Sequence, residues 1–266
     1  MKIKVSCIQT NSFISPTENI NHVNSLISKA IKKKPDLICL PECVGIFSDD
    51  KSKLSEFCKN ENFFLNFIKE FSKKNKVYFI IGSLPYAKSN RKFLNRSLVI
   101  NDKGQVTGEY DKINLFNVKL NAEEQYLESR LYDSGKKIKV VPLPWGKLGL
   151  SICYDIRFPN LYKKLAKNGA DFLSIPAAFT KTTGKAHWHT LIRSRAIENG
   201  CFVFAPAQCG IHENKRETYG HSMIVDPWGK ILAEAKNKPT VITAQINVSS
   251  IKYFRSKIPS MTNYDS

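Results

Sequence analysis

Apolar and polar residues along the chain repeat with two periods, one typical of β-strands and one typical of α-helices. Residues 2–9 alternate between apolar and polar side chains, which predicts a strand. Residues 19–34 carry apolar side chains close to helical spacing, and Pro35-Asp36 ends that helix. The remaining elements predicted in the first half are strands at 37–40 and 77–82, a helix over 63–75, and a strand with its turn at 96–104.

The second half continues this alternation without repeating the sequence. It predicts strands at 148–152, 172–176, 202–206, 221–225 and 241–246, with helices near 160–168 and 186–199. Such alternation, with adjacent antiparallel pieces, predicts a layered α/β sandwich. Parallel crossovers would then place the ends of strands 37–40 and 148–152 on one side of the sheet, the usual position of an active site.

The chain has 266 residues, of which 42% are hydrophobic and 24% charged, so a sizeable core is possible. It contains no Gly/Ser-rich or Pro-rich linker, no low-complexity tract and no repeat of solenoid length. We therefore expect a single domain over residues 1–266.

The net charge of +18 is the one unusual bulk property. A basic nucleic-acid-binding module is one explanation, but the lysines lie on solvated helix faces and are not interleaved with aromatic stacking platforms. Attraction of a small anionic substrate is the alternative, because a positive field raises the encounter rate with anions. We expect no nucleic-acid partner.

The first residues enter a strand pattern directly, without an apolar signal region, and no stretch approaches a membrane span. We therefore expect a cytoplasmic protein with no membrane partner. Seven cysteines at irregular spacings fit reduced thiols better than a disulfide framework.

Cofactor and metal motifs are absent from the sequence. No glycine-rich phosphate loop occurs, and the pair His187 and His189 has no further ligands nearby in the chain. We expect no cofactor and no metal site.

Cys153 is the first candidate for chemistry. It ends the apolar run 148–152 and precedes a helix-like segment, so it lies at a sharp strand-to-helix turn, where an exposed nucleophile is useful. The alternative is a small core residue, since free cysteines are usually buried.

Three charged residues accompany it in unusual settings. Glu42 follows a buried strand, Lys112 lies among aromatic and apolar neighbours, and Glu128 follows Tyr126-Leu127. Each could be a surface charge, because Lys and Glu are mostly exposed. A Ser-His-Asp hydrolase is less favoured: no Gly-x-Ser-x-Gly occurs, and we expect His221 to be structural or to lie under the site.

These residues stand in motifs that resemble the nitrilase superfamily of carbon–nitrogen hydrolases: Leu-Pro-Glu42, Tyr-Asp-Lys112 and Ile-Cys153-Tyr-Asp. The resemblance covers nearly the whole chain. It implies a four-layer αββα sandwich, a homodimer, and a catalytic Glu42-Lys112-Cys153 triad with Glu128 as a second acidic residue. In that triad Glu42 would be the general acid and base, Cys153 the nucleophile, and Lys112 a stabiliser of the oxyanion.

The motif after Cys153 and the runs 176–180, 183–188 and 207–222 are similar to the branch that hydrolyses deaminated glutathione. This implies cleavage of the amide between an α-ketoglutaryl group and cysteinylglycine. The ω-amidase branch, acting on α-ketoglutaramate, resembles the run 207–222 less closely. His189 stands where this branch usually has Glu.

The resemblance also carries over four substrate-binding positions: Tyr154, Arg157, Phe179 and Thr180. Tyr154 would act through its backbone N–H at the oxyanion. Arg157 suits a small anionic amide substrate, but a structural ion pair with Asp155 or another carboxylate is the alternative.

Overall fold

The computed structural model describes residues 1–88, 92–121 and 124–260. Residues 261–266 of the expected single domain lie outside this range. The α-helices of the described chain are α1 (Pro16–Ile31), α2 (Lys51–Lys59), α3 (Glu61–Asn75), α4 (Pro159–Lys167), α5 (Lys181–Asn199) and α6 (Ser250–Lys257). Two short 3₁₀ helices cover Glu128–Arg130 and Cys153–Arg157. None of the helices in these ranges has the length and apolar character needed to cross a membrane.

Most strands belong to two six-stranded sheets. The first sheet has the order β16-β1-β2-β3-β4-β5, formed by β1 (Lys2–Gln9), β2 (Leu37–Cys39), β3 (Tyr78–Ala87), β4 (Phe93–Ile100), β5 (Val106–Asp111) and β16 (Thr240–Asn247). The second has the order β15-β14-β11-β10-β9-β8, formed by β8 (Val140–Leu143), β9 (Gly146–Leu150), β10 (Phe172–Ser174), β11 (Phe202–Ala205), β14 (Met223–Val225) and β15 (Ile231–Glu234). Two hairpins lie outside these sheets: β6 (Asn117–Lys119) with β7 (Gln125–Leu127), and β12 (Cys209–Ile211) with β13 (Glu217–Tyr219).

Both sheets have the same internal plan. Strands β1, β2 and β3 are parallel to one another, as are β9, β10 and β11, and the outer strands pair antiparallel. The central strands are short apolar runs because both of their faces are buried, one against helices and the other against the opposite sheet.

The two faces of the first sheet enter different cores. Val5 and Cys7 of β1 pack toward the second sheet, in one cluster with Leu148 and Leu150 of β9. Ile8 belongs instead to a second cluster with residues of α1 and α3. Successive strand residues point to opposite faces, so this division follows directly from the sequence alternation.

Helices α4 and α5 cover the outer face of the second sheet, where Leu165 and Ile192 belong to the same hydrophobic cluster as Leu148 and Leu150. The order of layers is therefore helix, sheet, sheet, helix. The expected four-layer αββα sandwich is confirmed.

The placement of strands 37–40 and 148–152 in one sheet was wrong. β2 belongs to the first sheet and β9 to the second. Strand pairing depends on contacts between distant segments, which hydrophobic periodicity does not encode. The residues that follow the two strands nevertheless meet, because Glu42 and Cys153 line the same cavity.

Helix α5 begins at Lys181, five residues before the predicted start at Ala186. Thr180 caps it, since its hydroxyl accepts a hydrogen bond from the Thr183 backbone N–H at 3.4 Å. Gly184 lies in the first turn against Tyr219, where a Cβ atom would come within 2.4 Å of the Tyr219 side chain. A polar first turn with a glycine has weak helical periodicity, which explains the difference.

Candidate active site

Glu42 is a carboxylate buried at the end of β2, with only 3% of its surface exposed. Its Oε2 accepts a hydrogen bond from the Ala178 backbone N–H at 2.7 Å. Its Oε1 accepts from Asn95 Nδ2 and from Lys112 Nζ, both at 3.0 Å. Gln208 Nε2 donates to the Glu42 backbone carbonyl at 2.9 Å. These contacts hold the carboxylate in one orientation, as burial of a charged group requires.

Lys112 directly follows β5 and is 2% exposed. Its Nζ donates to Glu42 Oε1 at 3.0 Å, and to Glu128 Oε1 and Oε2 at 3.1 and 2.9 Å. One ammonium group thus lies between two carboxylates.

Glu128 begins a 3₁₀ helix and completes this arrangement. Its Oε2 also accepts from the Phe116 backbone N–H at 2.6 Å, and its Oε1 from Asn95 Nδ2 at 3.1 Å. Asn95 therefore bridges the two carboxylates that share Lys112. We refer to Glu42, Lys112, Glu128 and Asn95 as the buried charge cluster.

Cys153 occupies the turn between β9 and α4 with a backbone φ of +47°. This left-handed conformation is uncommon for a residue with a Cβ atom, and it is maintained here by a hydrogen bond from the Cys153 N–H to the Pro176 carbonyl at 2.8 Å. The thiol lies beside the Glu42 carboxylate, whose charge raises the thiol's pKa. The next N–H, of Tyr154, lies in the first turn of the 3₁₀ helix, where N–H groups have no acceptor within the helix.

Asp155 stabilises this turn through hydrogen bonds in the protein interior. It is fully buried and accepts hydrogen bonds from the Tyr110 hydroxyl at 2.7 Å, the Ile152 N–H at 2.9 Å, and the backbone and side chain of Asn114 at 2.9 and 2.8 Å. Burial raises the pKa of Asp155 although these four bonds favour its ionised form. The Asp155 oxygens are thus occupied by partners other than Arg157, and the alternative of an Asp155–Arg157 ion pair is not what the structure shows.

The pKa values in the site set the resting protonation states. Burial alone would raise the pKa of Glu42, but the charges of Lys112 and Arg216 and the Lys112 hydrogen bond bring it below its ordinary value. Burial, and then the Glu42 carboxylate, raise the pKa of the Cys153 thiol well above its ordinary value. Glu42 is therefore ionised and Cys153 is a neutral thiol at neutral pH.

Lys112 keeps its charge for a related reason. Burial alone would lower its pKa, but Glu128, Glu42 and Cys153 together raise it well above the ordinary lysine value. The site thus holds a fixed cation beside a carboxylate–thiol pair. A thiol next to a base is the arrangement that nucleophilic catalysis needs.

A cavity of about 480 Å³ opens onto these groups. Glu42, Lys112, Glu128 and Cys153 all line it, as do the aromatic side chains of Phe47, Phe116, Tyr126 and Tyr132. The structure therefore brings all four predicted catalytic residues to one cavity of a size typical for small-molecule sites.

Arg216 is a residue of this cavity that sequence reasoning missed. Its guanidinium lies over the rings of Tyr126 and Phe47, at 5.0 and 5.5 Å from their centroids, and its Nη2 donates to the Ala178 carbonyl at 2.6 Å. Its Nε is buried without a hydrogen-bond partner within the described chain. Arg216 lies in the run 207–222, which is similar to one branch of the family, and this position in the run was the feature of the sequence that could have identified it.

Asn95 was also missed. It is a buried amide in strand β4 between Leu94 and Arg96, and an asparagine inside a strand is unusual enough to mark a specific contact.

The predicted substrate-binding residues lie together in a recess beside Cys153, lined by Tyr154, Arg157, Phe179, Thr180 and Arg216 among others. The Arg157 guanidinium lies 3.3 Å from His187 Nδ1 and 5.2 Å from the Phe179 ring centroid. The Thr180 hydroxyl contacts that of Thr183 at 2.8 Å and caps α5. Thr180 thus has a structural role of its own.

Comparison with known proteins agrees with this geometry. Residues 4–256 match the family described as carbon–nitrogen hydrolase. The chain is 38% identical over 260 residues to a protein of Synechocystis sp. named deaminated glutathione amidase, covering 96% of each chain. It is 36% identical to a protein of the same name from Dictyostelium discoideum, over 94% of this chain and 90% of that protein.

A solved structure gives the same result. The Caenorhabditis elegans NitFhit crystal structure superposes with a TM-score of 0.93 at 34% identity, covering 98% of this chain and 65% of that longer one. The resemblance stated from sequence motifs is confirmed. The chain belongs to the carbon–nitrogen hydrolase family.

Proposed function

We propose that the protein is an amidase that hydrolyses deaminated glutathione to α-ketoglutarate and cysteinylglycine through a thioester on Cys153. The observation that carries the catalytic part is that Cys153, Glu42 and Lys112 line one cavity, where Lys112 Nζ donates to Glu42 Oε1 at 3.0 Å and the Glu42 carboxylate raises the pKa of the Cys153 thiol. The names of the relatives support the substrate.

In the first step Glu42 accepts the thiol proton as the Cys153 sulfur forms a bond to the substrate's amide carbon. The carbonyl oxygen becomes an oxyanion that Lys112 Nζ and the Tyr154 N–H stabilise. Preorganised donors of this kind are worth roughly 3–4 kcal/mol each in barrier height. Their charges and dipoles are already in place before substrate arrives.

The intermediate then collapses. The carbon–nitrogen bond breaks, Glu42 gives its proton to the leaving nitrogen, and the amine departs, leaving a thioester on Cys153. Glu42, again a carboxylate, takes a proton from a water molecule that attacks the thioester carbon. The carbon–sulfur bond breaks and the sulfur recovers the proton, so the sum is amide plus water giving acid plus amine.

Glu128 and Asn95 would act by positioning. Glu128 accepts two of the Lys112 hydrogen bonds, and Asn95 contacts both carboxylates. These steps use only side chains, a backbone N–H and water, so we propose no cofactor and no catalytic metal.

An anionic substrate fits the surroundings of the nucleophile. Arg216 lines both the cavity and the recess, and its Nε has no hydrogen-bond partner within the described chain. We propose that Arg216 binds a substrate carboxylate or keto oxygen, with Arg157, Phe179 and Thr180 bounding the recess. The net charge of +18 would raise the rate of encounter with such an anion.

We further propose that residues 1–266 form one domain that works as a cytoplasmic homodimer without a nucleic-acid partner. One hydrophobic cluster joins both six-stranded sheets, which supports the single domain. The resemblance to the nitrilase superfamily supports the dimer.

Substitution of the nucleophile tests the mechanism. Cys153→Ala should abolish hydrolysis and the covalent acyl adduct detected by mass spectrometry after rapid quenching, with the fold retained. Cys201→Ala is the matched control, because Cys201 is also a buried free thiol but lies in the core near Ala170. Turnover by Cys153→Ala would refute the thioester mechanism.

The substrate assignment needs a separate measurement. Specificity constants, kcat/KM, should be compared for deaminated glutathione, α-ketoglutaramate, simple amides, nitriles and carbamoyl compounds. We expect the highest value for deaminated glutathione, whereas a higher value for α-ketoglutaramate would assign the chain to the ω-amidase reaction.

A further inference from the structure

Two histidines and a glutamate meet on the surface, at a place the proposed reaction does not use. His189 lies on α5, His221 lies two residues before β14, and Glu234 ends β15. Their side chains are 35%, 25% and 32% exposed, so the three are anchored but open to solvent. We refer to these residues as the His–Glu cluster.

Both imidazoles point at the same carboxylate oxygen. His189 Nε2 and His221 Nδ1 each lie 2.8 Å from Glu234 Oε1. The three possible ligand atoms all lie within 4.8 Å of one another. The sequence suggested no ligand partner for His189 because its partners lie 32 and 45 positions away along the chain.

His221 is held firmly in this position. Its backbone has a φ of +54°, its N–H donates to the Lys236 carbonyl at 3.0 Å, and its carbonyl accepts from Trp188 Nε1 at 2.8 Å. The Tyr219 ring stacks on its imidazole with 4.3 Å between centroids. A side chain fixed at the backbone and at the ring needs little ordering to bind a ligand.

We propose that the His–Glu cluster binds a divalent transition metal ion, Zn²⁺ foremost, through His189 Nε2, His221 Nδ1 and Glu234 Oε1. Two imidazoles and one carboxylate form a known zinc ligand set that leaves one position for water. Imidazole also suits Cu²⁺ and Ni²⁺, so the class of ligand is a borderline divalent cation and excludes Mg²⁺ and Ca²⁺.

The spacing of the atoms fits this ion. Around a tetrahedral Zn²⁺ with bonds of about 2.0–2.1 Å, ligand atoms lie roughly 3.4 Å apart. Each nitrogen is already 2.8 Å from the glutamate oxygen. The two nitrogens lie within 4.8 Å of each other, so they need to approach by at most about 4.8 − 3.4 = 1.4 Å, while each moves about 0.6 Å farther from the glutamate oxygen. Side-chain rotation of partly exposed groups supplies movements of this size. Each neutral ring keeps its proton on the nitrogen that does not face the metal.

The bound ion would link α5 to the edge of the second sheet. β15 is the terminal strand of that sheet, and α5 is the helix that begins at the Thr180 cap beside the recess. The site is structural in this inference, and it does not depend on the proposed amidase function.

The test uses the full chain with Cys153→Ala, so that the cavity thiol is not a competing ligand. Titration calorimetry with Zn²⁺ should show one site, and Zn²⁺ should raise the midpoint of thermal unfolding. With Co²⁺ the absorption spectrum should show ligand-field bands without a thiolate charge-transfer band.

Two variants and one control separate the ligands from the surroundings. His189→Gln and His221→Gln should each weaken Zn²⁺ binding at least tenfold, although Gln at either position can still donate to Glu234. His187→Gln is the matched control, an exposed histidine of the same helix that contacts Arg157 instead, and it should bind Zn²⁺ like the parent. No binding by the parent, or equal binding by all of the chains, would overturn the proposal.

Discussion

The buried charge cluster and the His–Glu cluster share one plan, in which a central group contacts two partners of another chemical type. In the first, a cation lies between two carboxylates, and in the second, a carboxylate lies between two imidazoles. Lys112 is 2% exposed, whereas Glu234 is 32% exposed. The two regions therefore differ mainly in access to water.

Burial changes what the same geometry does. Inside the protein an unpaired charge is expensive, so every member of the buried cluster depends on the others and the set is fixed before substrate binds. At the surface, water replaces a lost partner at small cost. The exposed cluster can therefore exchange its hydrogen bonds for a metal ion, while the buried one cannot.

Removing the central cation gives the largest expected effect. Lys112→Met leaves two buried carboxylates without their partner, so we expect the free energy of unfolding to fall by about 3–5 kcal/mol and hydrolysis to be lost. Urea unfolding measures the former. Lys88→Met is the control, since the Lys88–Asp133 pair, 2.8 Å apart, is exposed and should contribute far less to the free energy of unfolding. Equal losses in both variants would show that burial does not separate the two regions.

Neutralising the buried Glu42 carboxylate should lower the rate of hydrolysis. We expect Glu42→Gln to lower kcat about 10²–10⁴-fold, because Gln keeps the shape but accepts no proton. In the unmodified enzyme kcat/KM should fall only when pH drops through the lowered Glu42 pKa, and the variant should lack this acid limb. A variant with an unchanged acid limb would assign the general base elsewhere.

His212 shows what burial does to the same residue type that forms the exposed His–Glu cluster. It is a histidine inside the protein, stacked on Phe47 with 3.6 Å between ring centroids. Burial, aided by the Arg216 charge, lowers its pKa to about 4 from 6.5. The unfolded chain therefore binds a proton that the folded chain excludes, and stability is fully present above about pH 6.5 and lost as pH falls toward 4.

The difference of 6.5 − 4 = 2.5 pH units corresponds to about 3 kcal/mol. His212→Asn should flatten the dependence of the unfolding free energy on pH over that window. His187→Gln, at an exposed histidine, should leave the slope unchanged. A slope unaffected by His212→Asn would mean that the ring is already protonated in the fold.

Breaking the exposed cluster should have the smallest effect. Without added metal, in the presence of a chelator, Glu234→Gln should change the free energy of unfolding by less than about 1 kcal/mol, because both histidines are partly exposed. A loss as large as that of Lys112→Met would contradict the comparison.

The sequence predicted the parts that depend on local pattern. Apolar runs located β2 and β9, and helical spacing located α1 and α3, because one buried face leaves a periodic trace. Helix α2 was not predicted, since Leu54 and Phe57 are its only buried positions among the described residues of that helix. The assignment of β2 and β9 to separate sheets was beyond local pattern.

The site divides in the same way. Glu42, Lys112 and Cys153 were identified because each stands in a recognisable motif. Asn95 and Arg216 were not, because their importance comes from contacts with residues at least 33 positions away, such as Glu128 and Ala178. The His–Glu cluster is also assembled only by the fold.

The neutral state of the Cys153 thiol has a consequence for inhibition and damage. Alkylating agents and peroxides attack the thiolate, so a thiol whose pKa is raised by burial and by Glu42 resists them. Toward a carbonyl compound bound in the cavity the thiol is reactive, since Glu42 removes its proton as the sulfur attacks. Selective covalent inhibitors of this protein should therefore be reversible aldehydes or activated amides rather than general thiol reagents.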